Sequence, residues 1–158
     1  MALVGRDAIG GKGVPYFDPK KYVDAVALIV EPRSIRRNVP NENGPRDEVT
    51  AQITVFRTEP QLRRGEVAEV NTFIITPKRL VRDLDELMAE ERAKGNLFPA
   101  VIVKLGQWPI PNTSRKVWVF KQVEDDMYDL AAEYYQEREA RTADAIANAP
   151  DDFGDDDD

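Results

Sequence analysis

The stretch VTAQITVFRT, residues 49–58, alternates without a break. Val49, Ala51, Ile53 and Val55 point one way, and Thr50, Gln52, Thr54 and Phe56 the other. A period of two over this length is the pattern of an antiparallel strand with one buried face. Such a strand needs at least one partner, so the flanking segments are read for the same period.

YVDAVALIV, 22–30, predicts a first strand with Val23, Ala25, Ala27 and Ile29 on one face. EPRSIRRNVPNENGPRDE, 31–48, holds three Pro and one Gly and predicts a loop. That loop is basic, with Arg33, Arg36, Arg37 and Arg46. After the 49–58 strand, EPQLRRGE predicts a turn carrying Arg63 and Arg64. VAEVNTFIIT, 67–76, is a third strand. One phase turns Ala68, Val70, Thr72 and Ile74 inward and leaves Phe73 outside; the opposite phase is open.

A helix is predicted over 76–95. Leu80, Val81, Leu84, Leu87 and Met88 form one apolar stripe at helical spacing. Thr76 and Pro77 suit its start and Gly95 its end. FPAVIVKLG, 98–106, and KVWVFKQV, 116–123, are two more strands, joined by a Pro-rich loop with Trp108. On the last strand, Trp118 and Phe120 share a face. Residues 124–149 predict a C-terminal helix with Met127, Leu130, Ala131 and Tyr134 as its stripe.

Three strands, a helix and two strands is the element order of the OB-fold, a five-stranded barrel with a helix between strands 3 and 4. The expected organisation is an N-terminal arm (1–20), an OB-like domain (21–123), the C-terminal helix (124–149) and a disordered acidic tail (150–158). The class is mainly β, although small α+β sandwiches share the order. The arm's GGKG lacks the first Gly and the Ser/Thr of a phosphate loop, so nucleotide binding is set aside.

Charge divides along the same boundaries. Residues 1–123 carry 20 Lys/Arg against 15 Asp/Glu, net +5, and residues 124–158 carry 2 against 14, net −12. A basic body with an acidic end points to a polyanionic partner. Single-strand binding needs cations for the backbone and flat rings for bases to stack on. The first loop offers the arginines named above. The loop before the last strand offers Trp108, Arg115 and Lys116. The faces read as outward add Phe56, Arg57, Phe73, Trp118, Phe120 and Lys121. Phe73, Trp118 and Phe120 could equally be core, the last two beneath the C-terminal helix.

The chain has no Cys and no His. Disulfides, thiolate metal sites and imidazole catalysis are excluded, and no cofactor is expected. A carboxylate metal site would fall to Asp83, Asp85 and Glu86, which read instead as a solvated helix face. No apolar run is long enough for a membrane span and no signal-peptide core is seen, so a cytoplasmic, non-enzymatic protein is expected.

With basic loops, this element order and the ending DDFGDDDD, the chain resembles phage-type single-stranded DNA-binding proteins. The resemblance implies sequence-independent binding and protection of single-stranded DNA in replication, recombination and repair, in a host cytoplasm. It implies that Asp151, Asp152, Phe153, Asp155, Asp156, Asp157 and Asp158 shield the groove or recruit replication and recombination proteins. Bacterial members close on a terminal aromatic, whereas Phe153 lies inside the acidic run. Two other readings stand: a protein-interaction module whose tail mimics DNA, and an RNA-binding protein. Oligomeric state, a homodimer included, is open.

Overall fold

The computed structural model describes residues 13–148. The acidic-tail residues 150–158 and most of the arm lie outside the described residues. Nine elements are found among the described residues. After a short 3-10 turn, Pro19–Lys21, come β1 (Ala27–Val39), β2 (Arg46–Phe56), α1 (Glu59–Arg64), β3 (Glu69–Ile75), α2 (Lys78–Ala93), β4 (Val101–Pro109), β5 (Lys116–Lys121) and α3 (Asp125–Ala147).

The strands form one sheet in the order β3-β2-β1-β4-β5, every neighbouring pair antiparallel. It curls into a half-barrel, mainly β and consistent with the OB-like expectation. Inside the curl, Leu28, Val30, Val49, Ala51, Ile53, Val55, Phe73 and Ile75 pack against α2 through Leu80, Val81, Leu84 and Met88. The predicted stripe of α2 is thus its buried face. Its end is set by Gly95 at φ +89°, a left-handed position that glycine takes without steric penalty.

The outer face is half covered. Ala27, Ile29 and Phe56 are buried under α1 and α3, against Leu62, Met127 and Ala131. The sheet therefore packs on both sides near the start of β1 and is open near its end. Among the described residues no helix is long and apolar enough to cross a membrane.

Four expectations change. β1 begins at Ala27, not at residue 22, and Ala25 packs in the inner core while Ala27 and Ile29 face outward. Residues 31–39 are not a loop but the second half of β1, a 13-residue strand. Pro32 is accommodated because the register shifts beside it, at a bulge where its missing N–H is not needed. The connection to β2 is only residues 40–45. The EPQLRRGE turn is a helix, α1, held by a reciprocal capping box: Thr58 accepts from the Gln61 backbone and Gln61 from the Thr58 backbone. Part of the arm belongs to the sheet. Tyr16 pairs in parallel with Ile74, with Phe17 N–H donating to Ile74 (2.8 Å) and Ile74 N–H to Pro15 (2.9 Å). Phe17, Tyr22 and Phe73 then close that end of the core as a cluster of three rings, with centroids 5.2 to 5.8 Å apart.

Candidate functional site

The open part of the outer face is built by register. Tyr16, Ile74, Thr50 and Ser34 stand side by side on four neighbouring strand segments. Strands lie about 4.8 Å apart, so this row spans roughly 14 Å. Arg36 and Glu48 face each other one step further along β1 and β2. Arg46 shares Glu48's face two residues away. Arg33 sits at the bulge on β1 and leans toward Phe98, which precedes β4.

Arg33 and Arg46 are each held by a buried glutamate. Glu48, only 3% exposed, accepts from Arg46 Nε at 3.2 Å. The Arg46 guanidinium also lies 5.6 Å from the centre of the Tyr16 ring. Glu31, 4% exposed, accepts from Arg33 at 3.2 Å, from Gln52 at 3.4 Å and from both terminal nitrogens of Arg138 at 3.1 and 2.8 Å. Arg33 lies 5.9 Å from the Phe98 ring centre, and Arg138 5.0 Å from that of Tyr135. Burial disfavours the charge of Arg138, but the bonds to Glu31 and Glu139 outweigh it and hold the guanidinium pKa above its usual value. Arg36 is exposed and has no ion pair among the described residues.

The result is a strip with an exposed ring at either end, Tyr16 (58% exposed) and Phe98 (69%), and arginines between them. The two buried glutamates neutralise part of the charge. Glu31 also fixes the plane of the Arg138 guanidinium, because it holds both terminal nitrogens, and a bidentate Arg–carboxylate pair restricts orientation as well as distance. Free edges of those guanidiniums, the rings and the hydroxyls of Ser34, Thr50 and Thr72 are groups that phosphates and unpaired bases can use.

The sequence-predicted residues divide. Arg33, Arg36 and Arg46 meet on this strip. Arg37 does not: it is bound to Asp85 of α2 at 3.0 and 3.1 Å and lies near Asp47, and those carboxylates raise its pKa. Arg57 is at the far end of β2, over Tyr22 at 4.9 Å and paired with Asp24 at 3.1 Å. Arg63 pairs with Glu59 on α1, and Arg64 lies near Tyr134 and Glu137. Trp108, expected in the loop, is instead on β4 opposite Val117, 46% exposed with Arg79 5.0 Å from its ring centre, while Arg115 and Lys116 are exposed elsewhere on the β4–β5 hairpin. Lys121 folds over Gly106.

Four aromatic expectations need correction. Phe56 is on the outer face, as its alternation requires, but is 0% exposed, because α3 lays Tyr134 edge-on against it at 5.1 Å. Phe73 takes the opposite phase and is buried inside the curl. Trp118 and Phe120 turn toward the same inner core, not under the C-terminal helix. Asp85 answers Arg37, and Asp83 lies near Arg79 and Arg82, so neither is a bare carboxylate.

Tyr16, Phe98 and Arg138 were missed. Tyr16 stands beside Pro15 in a segment with no periodicity, and Phe98 beside Pro99 at the start of the segment read as a strand over 98–106. Exposed aromatics next to proline were the available signal. Arg138, one of only two cations after Val123, stood out in an otherwise acidic segment.

Compared with protein-family models, with curated proteins and with solved structures, the chain finds no match.

Proposed function

We propose that the chain binds single-stranded DNA without catalysis and largely without regard to sequence, serving to protect it in replication, recombination and repair. The observation that carries this reading is the outer strip: four arginines between two exposed rings, on the face of an OB-like sheet that leaves room for a strand to lie across β1, β2 and β3. Phosphates would meet Arg33, Arg36, Arg46 and Arg138, and bases would stack on Tyr16 and Phe98. Because stacking accepts any base, the arrangement favours tolerance of sequence. The strongly acidic tail fits a role as competitor for this strip or as a recruiting segment for replication and recombination proteins.

The test is a titration of a dT oligonucleotide into the full chain at several salt concentrations. Binding that weakens linearly in log[salt] is expected, because arginine contacts release counterions from the strand. An affinity that does not change with salt, or no binding at low salt, would remove the reading.

A further inference from the structure

On the side away from the arginine strip, a groove of about 280 Å³ runs between α2 and the β4–β5 pair. Its floor is apolar: Leu87, Val101, Val103 and Phe120 are all half-buried there and exposed along the groove. Its helix wall is acidic. Asp83, Glu86 and Glu90 recur at i, i+3 and i+7, which puts them on one stripe of α2 with Leu87 among them. Asp83 lies 3.8 and 3.9 Å from Arg79 and Arg82, while Glu86 and Glu90 have no ion pair among the described residues. Among the described residues no Lys or Arg lines the groove.

This is an odd feature on a body that carries a net positive charge. A polyanion is repelled from it, so the groove serves a different ligand from the strip. Its own chemistry states what fits: an apolar side chain to cover Leu87, Val103 and Phe120, with cations on either side to meet Glu86 and Glu90. We propose that the groove is a docking site for a short segment of a partner protein in which one or two apolar residues are flanked by Lys or Arg. Partner and polyanion would then occupy opposite sides of the sheet, so both can be bound at once.

The probe is the acetylated peptide KKLLKK, added to the isotope-labelled full chain and followed by heteronuclear NMR. Saturable shifts are expected at residues 83–90, 101–103 and 120, weakened by added salt. E86Q/E90Q should weaken binding about 3- to 10-fold, because two exposed charge pairs are lost. Leu87→Ser, a half-exposed position, should weaken it similarly without unfolding the chain, as circular dichroism would verify. Equal binding of KKSSKK, indifference to both variants, or shifts centred on other residues would overturn the proposal. So would displacement of the probe by the peptide MALVGRDAIGGK, which would make the chain's own residues 1–12 the occupant. The dT titration reads a different face, so failure of either assay leaves the other interpretable.

Discussion

Replacing Phe98 with alanine tests whether the exposed rings, and not the buried ones, meet nucleic acid. Phe98 is 69% exposed, so its removal leaves no cavity, and stability should stay within about 0.5 kcal/mol of the parent. If a base stacks on it, the loss in binding is about 1–3 kcal/mol, or about 5- to 150-fold in Kd. Phe56→Ala is the mirror case. That ring is fully buried against Tyr134, so its loss should cost about 3–5 kcal/mol of stability. Whatever remains folded should bind with unchanged affinity. Affinity is read by fluorescence anisotropy of a labelled dT oligonucleotide at fixed salt, and stability by urea unfolding. A Phe98→Ala protein binding within twofold of the parent would refute the stacking role. Lost affinity in fully folded Phe56→Ala protein would refute the placement of that ring beneath α3.

Four arginine–phosphate contacts predict a slope of about −3 in log K against log[salt] for a single strand, and Arg36→Ala should flatten it by about 0.7; an unchanged slope would remove Arg36 from the contact set. Glu31→Gln strips the charge from a buried carboxylate that holds Arg33 and Arg138, and should cost about 3–5 kcal/mol in urea unfolding. A loss under 1 kcal/mol would mean that Glu31 does not anchor α3. Burial, then the bond to Glu69, push the Tyr22 hydroxyl up to about 12. The unfolded chain loses that proton near pH 10, so stability should fall as pH rises from about 10 to 12 and the proton is held only by the fold. Tyr22→Phe should remove that part of the alkaline loss, and an identical pH profile would count against the buried hydroxyl. Leu80→Ala, at the root of α2, should cost about 2–5 kcal/mol, checked by the same unfolding curves.

The alternation of 49–58 identified β2 and the correct face for each side chain, and the stripe of α2 was equally plain. Alternation reports a side of the sheet, however, and not what covers that side. The cover over Phe56 comes from Met127 to Tyr134, far along the chain, so no local pattern could bury it in advance. β1 was cut short for a different reason. Its Pro32 and charged residues look like loop, and only Ile35, which packs on the inner core, kept the strand's period beyond the bulge. Of the strip, the three arginines were visible as a cluster. Tyr16 depended on residues 15–17 joining the sheet, and Arg138 on a helix docking across it; both are tertiary events.

The parallel pairing of Tyr16 with Ile74 also bears on the order in which the chain is assembled. On a ribosome, residues 15–17 emerge early, yet the edge that accepts them does not exist until β3 has been made and has paired with β2. The earliest segment of the sheet is therefore fixed only after β2 and β3 have paired. Until then Phe17 and Tyr22 have no Phe73 to pack on, and the end of the core stays open. Synthesis from first residue to last thus leaves this end of the core open until β3 has been made.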